Sequence, residues 1–310
     1  MSDNYIVLLR QILSEKGISQ AELARVLGVT FAALNRWLHG AAKPHPRRIE
    51  AIRRLHREWV AYPSVTAEEL RRVIRRAESL RREGLWEAIA RHQELQDDLL
   101  LEHTYNSTSI EGTTFSKRET ERVLFGKGLI PDKSLVEHLE VTNHAAVLRE
   151  IFRKRYPDAV SEPLIRRLHQ ALLQGIRPDA GEYSRHHRAI RGANIALTHP
   201  KDIPEEMKRL MQSWGRKPAK KTVREIASFH AAFELIHPFG DGNGRVGRLV
   251  MVLQCLREGF PPAVIENSRK VEYYEMLEYA QRKSEEPLVA FLADEMGRTA
   301  KLLRKHRVRV

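Results

Sequence analysis

An all-α chain in two parts is predicted by three observations. Apolar residues recur at three- and four-residue spacing along most of the sequence, clean alternating strand patterns are nearly absent, and helix caps stand where the periodic stretches begin. The best strand candidate is a short run, Ile190–Leu197. The length of 310 residues suggests two domains, and 42% hydrophobic residues suffice for real cores. The single cysteine, Cys255, excludes an internal disulfide framework and a cysteine-rich zinc site, and fits a cytoplasmic setting. No stretch approaches the roughly 20 apolar residues of a membrane span. The opening MSDNYIVLLRQ lacks the basic-then-apolar order of a signal peptide, so neither export nor a membrane role is expected. A net charge of +13 favours polyanions: nucleic acid, nucleotides or acidic protein surfaces.

The first helix is predicted over Tyr5–Lys16, with Leu8, Leu9, Ile12 and Leu13 on one face and Gly17 as its stop. Ser19 opens the second and forms a capping box with Glu22. Gly28 permits a tight turn, and Thr30 caps a third helix whose apolar stripe is Leu34, Trp37 and Leu38. A fourth helix follows the loop Gly40–Pro46 and runs to about Trp59. This helix, turn, helix order resembles the repressor-type helix-turn-helix family, and residues 1–60 are assigned to a DNA-binding domain. Ten Lys/Arg against five Asp/Glu in that stretch, a difference of +5, suit phosphate contacts. The recognition face would show Thr30, Phe31, Ala32, Asn35, Arg36 and His39. Asn pairs bidentately with adenine and Arg with guanine or phosphate, while Gln20 is placed to touch the DNA backbone. One such module reads few base pairs, so a homodimer on a two-fold double-stranded site is the expectation.

Residues 61–101 are assigned to a helical linker: Pro63 marks a short connection, and Thr66–Leu101 is charged and helical. That charged stretch is equally readable as the start of the second domain, placed at 102–310.

The chemistry lies in His237-Pro238-Phe239-Gly240-Asp241-Gly242-Asn243-Gly244-Arg245-Val246-Gly247-Arg248, a polar loop between two apolar helices. Gly242 and Gly244 allow close backbone approach to a ligand. The free N–H groups at the start of the following helix form an anion cradle. Arg245 and Arg248, three apart, share a helix face and can grip successive phosphates. Asp241 is a hard oxygen ligand suited to Mg2+ arriving with a nucleotide, and His237 can act as general base. The stretch lacks the Gly-Lys-Ser/Thr ending of a Walker A loop.

These residues fill every fixed position of His-x-Phe-x-Asp/Glu-Gly-Asn-Gly-Arg-x-x-Arg, and the chain so resembles the Fic family of protein adenylyltransferases. The resemblance extends loosely from Asn106 to Tyr279. It implies a helical domain with a small β-hairpin flap, placed at Arg188–Pro200, and transfer of AMP from ATP to a hydroxyl of a target protein. It implies that His237 deprotonates the hydroxyl, that Asp241 holds Mg2+, and that Asn243 with the backbone of Gly242 and Gly244 stabilises charge. Gly240 belongs to the ATP-binding loop, Arg245 would bind phosphate, and Arg248 would orient the γ-phosphate. Upstream, Ser107-Thr108-Ser109-Ile110-Glu111-Gly112 resembles the family's inhibitory pattern, which implies a Glu111–Arg248 salt bridge. Tyr274, with Tyr273 as the alternative, would line the nucleobase pocket. His186, His187 and His199 lack a partner pattern for metal binding. De-adenylylation, transfer of UMP, phosphocholine or phosphate, and a nucleotide-sensing transcriptional regulator are the rival readings.

Overall fold

The computed structural model describes residues 5–59, 66–126, 128–153, 156, 159–188, 196–216, 220–282 and 284–308. These form fifteen α-helices and two short 3-10 turns, and among the described residues there is no strand. The flap expected at Arg188–Pro200 falls mostly on residues 189–195, outside the described residues. The chain divides into two compact units, Met1–Ser64 and Val65–Val310.

In the first unit, α1 (Tyr5–Lys16), α2 (Gln20–Val26), α3 (Phe31–Leu38) and α4 (Pro46–Trp59) enclose Leu9, Ile12, Leu23, Leu34 and Ile52. The Ser19 capping box with Glu22 is formed, and the Thr30 side chain accepts from the Ala33 N–H. Each cap satisfies donors that the first helical turn leaves free. Gly28 takes φ 62°, the left-handed turn between α2 and α3 that side chains disfavour.

The second unit is built round α12 (Val223–Ile236) and α13 (Asn243–Arg257), joined by the loop 237–242. Helix α13 is buried on nearly every face, which makes it the central element. Around it stand α7 (Gln93–Glu111), α9 (Leu135–Phe152) and α10 (Glu162–Leu172). Helix α11 (Ile203–Gly215) packs on α12, as do α14 (Lys270–Arg282) and α15 (Glu286–Lys305). The unit begins at Val65, so the stretch assigned to a linker contributes α5 (Ala67–Ser79) and α6 (Leu85–Arg91) to it. Leu85, Trp86 and Ile89 join the main core, and the Trp86 indole N–H donates to the Ile151 carbonyl at 2.8 Å. Burying three such side chains contributes several kcal/mol, at about 1.5–3 kcal/mol each. Helix α8 (Lys117–Phe125) begins at Ser116, whose capping box with Glu119 is complete.

Candidate active site

Helix α12 stops because His237 turns into the left-handed region, φ 49°, and Pro238 cannot continue the ladder. A non-glycine residue there is strained by about 1–2 kcal/mol and needs local support. The His237 N–H reaches the Phe233 carbonyl at 2.9 Å, and Nδ1 lies 3.3 Å from the Glu234 carbonyl. A carbonyl only accepts, so Nδ1 carries the proton and Nε2 is left with a lone pair. Burial depresses the imidazole to about 4, so it is neutral near pH 7 and able to take a proton.

The loop is clasped from inside. The Asn243 amide donates to the Phe239 carbonyl at 2.9 Å and accepts from the Phe239 N–H at 2.8 Å. Asn243, expected to stabilise charge on the transferred group, also braces the loop from inside. The Phe239 ring lies flat on His169, with centroids 3.7 Å apart and planes 5° from parallel. His169 Nδ1 accepts from the Gly181 N–H at 2.7 Å, so Nε2 carries the proton and donates to the Asp241 carbonyl at 3.0 Å. His169 thus fixes the loop from α10. It was missed in the sequence because a histidine on an apolar helix face gives no sign of its partner.

Gly242, at φ 74°, precedes α13, and no side chain caps that helix. Its first turn presents free donors and the positive end of a buried helix. Asp241 accepts from the Gly242 N–H through Oδ1, while Oδ2 has only a 3.5 Å contact with Arg245 and half of the side chain faces solvent.

The two arginines differ. Arg245 is buried and paired with Glu140 of α9 at 2.6 Å. That contact with Glu140 was unforeseen from the sequence, and it ties Arg245, expected to bind phosphate, to α9. Arg248 is held by Ser107 through its hydroxyl and its carbonyl, both at 2.9 Å, and by Glu111 at 2.7 Å. A methyl group on Gly244 would lie 2.3 Å from Glu111 Oε1. The Glu111 carboxylate therefore rests against the first turn of α13, in the cradle an anion would use. Tyr273 is fully buried, its hydroxyl 2.7 Å from His230, whereas Tyr274 is 39% exposed beside Ile110. Of the two candidates, Tyr274 is the one that reaches solvent.

In the first unit, Phe31, Ala32, Arg36 and His39 are exposed. Asn35 Nδ2 donates to Gln20 Oε1 at 3.3 Å, so Gln20 orients Asn35 as well as standing at the edge of that face.

Residues 159–255 match the Fic/DOC family, a span that contains the whole loop and α13 up to Cys255. The second unit belongs to the Fic/DOC family. Residues 9–56 match the helix-turn-helix family, which covers α2 and α3. The Fic relatives include a protein adenylyltransferase Fic of Culex quinquefasciatus, 30% identical over 212 residues, 67% of this chain and 42% of that protein. Protein adenylyltransferase fic-1 of Caenorhabditis elegans is 31% identical over 198 residues, 62% of this chain and 38% of that protein. The chain thus spans about two fifths of the length of these curated relatives. The solved structure of Fic-1 (residues 134–508) from C. elegans shares the fold, with a TM-score of 0.65 at 24% identity over 96% of this chain and 98% of that one. A Fic-domain signalling protein from Bacteroides thetaiotaomicron gives 0.59 at 23% identity, covering 76% and 98%. Among the described residues of the Fic protein, no helix is long and apolar enough to cross a membrane.

Proposed function

We propose that the Fic unit is a protein adenylyltransferase held in check by Glu111, and that the helix-turn-helix unit binds double-stranded DNA. The observation that carries this reading is the pairing of an imidazole nitrogen at His237, without a partner among the described residues, with an uncapped buried helix N-terminus whose anion seat is filled by Glu111. In the proposed reaction, the target hydroxyl oxygen attacks the α-phosphorus of ATP. His237 Nε2 takes the hydroxyl proton, the new O–P bond forms, and the bond to the β-phosphate oxygen breaks to release pyrophosphate. The first-turn N–H groups of α13 stabilise charge on the transferred phosphoryl oxygens. Asp241 fits a magnesium ion, because that cation wants one or two carboxylates plus substrate phosphates and Asp241 Oδ2 faces solvent. Magnesium bound there would neutralise phosphate charge. Arg248, once free of Glu111, reaches the end of the triphosphate, and Tyr274 borders the base.

Glu111 acts by occupancy. While its carboxylate holds Arg248 and the α13 cradle, a γ-phosphate meets like charge and no partner. A misplaced α-phosphate then loses the near-attack geometry on which large rate factors depend.

ATP labelled on the α-phosphate and ATP labelled on the γ-phosphate separate the readings. With the Glu111→Gly chain, the α-label enters protein and the γ-label does not. His237→Ala stops incorporation and leaves ATP affinity within about threefold, since the base contributes to the transition state only. Incorporation of the γ-label would mean phosphate transfer. Release of AMP from pre-adenylylated protein without any forward incorporation would mean the reverse reaction.

A further inference from the structure

We infer that the groove beside the catalytic loop receives an acidic segment of the target protein, flanking the hydroxyl that is modified. The inference rests on the adenylyl-transfer reading and names the class of its substrate. Two adjoining cavities, about 380 and 630 Å³, share Glu182, Tyr183, Ser184, Arg185 and His187 and so form one groove. One end reaches Gly240 of the catalytic loop, and the other reaches Pro204 at the start of α11.

The charge of this groove is one-sided. Its cations are Arg166, Arg177, Arg185, Arg188 and Lys201, against the carboxylates of Asp179 and Glu182. Arg177 grips Asp179 through two bonds of 2.8 and 2.9 Å, so that pair cancels. Arg185 meets Glu182 only at 3.5 Å with side chains 85% and 57% exposed, a pairing that solvent screens. Arg166 spends one N–H on the Gly181 carbonyl and lays its guanidinium over the Tyr183 ring at 5.3 Å, which keeps its charge on the groove wall. Arg188 donates to the carbonyls of His237 and Thr198, which sets a positive charge beside the base, on the groove side of it, opposed at His237 by Glu111 and Asp241. Lys201 is exposed at the far end. A peptide threaded past His237 therefore meets net positive charge on this side. An acidic segment gains from every step of its approach, and a basic one is repelled.

The test uses the full chain carrying Glu111→Gly and three fluorescent peptides built round one threonine. Flanking residues are Asp/Glu in the first, Gly/Ser in the second and Lys/Arg in the third. Anisotropy at low salt should show the acidic peptide binding at least about tenfold tighter than the neutral one, with the gap closing as added salt shortens the screening length. Saturating Mg-ATP should leave that affinity in place. The double variant Arg185→Glu, Lys201→Glu should lose the preference while still adding AMP to itself. Equal binding of all three peptides, a preference unmoved by the double variant, or full displacement by ATP overturns the inference. Absence of AMP addition by the Glu111→Gly chain, with peptide discrimination intact, would instead remove the transfer reading and leave an acidic-segment binding groove.

Discussion

At the scale of single residues, hydrogen-bond donors decide roles that residue types leave open. His169 is buried and His237 partly buried, and both have depressed basicity, about 4 in each case, with desolvation as the main cause. Their partners separate them. His169 spends both ring nitrogens on backbone, while among the described residues His237 bonds through one only. In the first unit, Gln20 Oε1 accepts from the Asn35 amide, and the proposed bidentate contact would use the Asn35 carbonyl oxygen and its other N–H on the N6 and N7 atoms of one adenine edge. Asn35→Ala should weaken binding to the preferred DNA site by about 1–3 kcal/mol and relax the choice at one base pair of each half-site. Gln20→Ala should lose part of that selectivity with a smaller loss of affinity, measured by competition binding across a randomised site. A uniform loss over all sequences from Asn35→Ala would show a phosphate contact instead.

At the scale of elements, the candidate catalytic loop is a short crossing between two buried helices, braced by α10, while α7 and α9 hold the arginines of α13. The loop's residues were legible because glycine spacing, a terminal histidine and paired arginines each follow a local rule. The bracing was not. His169 meets Asp241 across 72 residues, and Arg245 meets Glu140 across 105, and no local pattern encodes such pairs. The capping boxes at Ser19 and Ser116 show the opposite case, since both partners lie within one turn. These helices also bury ionisable groups. Burial lowers His103 and His230 to about 3, His169 and His237 to about 4, and His144 well below its ordinary value. An unfolded chain takes up these protons near pH 6.5, and the folded chain refuses them until about pH 4 or lower. Stability is therefore lost as pH falls from about 6.5 towards 4. Glu234, raised to about 8 by burial, and Glu295, raised to about 7, pull the other way, because the folded state keeps protons there above pH 4.5. Five histidines outweigh two carboxyls below pH 6.5. Amide-exchange protection of α12 and α13, corrected for intrinsic rate, should drop markedly from pH 6.5 to pH 5. Unchanged protection over that interval would contradict the burial of neutral imidazoles.

At the scale of the whole molecule, a helix-turn-helix unit and a Fic unit share one chain. The boundary was legible only on one side. Pro63 and the end of the fourth helix marked where the first unit stops, but a charged amphipathic stretch does not say what its apolar stripe packs against. Leu85, Trp86 and Ile89 belong to the Fic core, which only tertiary contact reveals. The fold class followed from periodicity, whereas the proposed restraint on activity would depend on one ion pair joining residues 111 and 248. Removing Glu111 leaves the buried Arg248 bonded to Ser107 through two hydrogen bonds, which should keep the cost within the about 3–5 kcal/mol of breaking a buried pair. Glu111→Gly should then unblock the cradle in a chain that still folds. The most direct measurement is the intact mass of three full-length chains incubated with Mg-ATP: unsubstituted, Glu111→Gly, and Glu111→Gly with His237→Ala. The account predicts a gain of one or more AMP masses in the second, little in the first and none in the third. Equal AMP addition in the first two would contradict restraint by Glu111, and addition in the third would contradict His237 as the base.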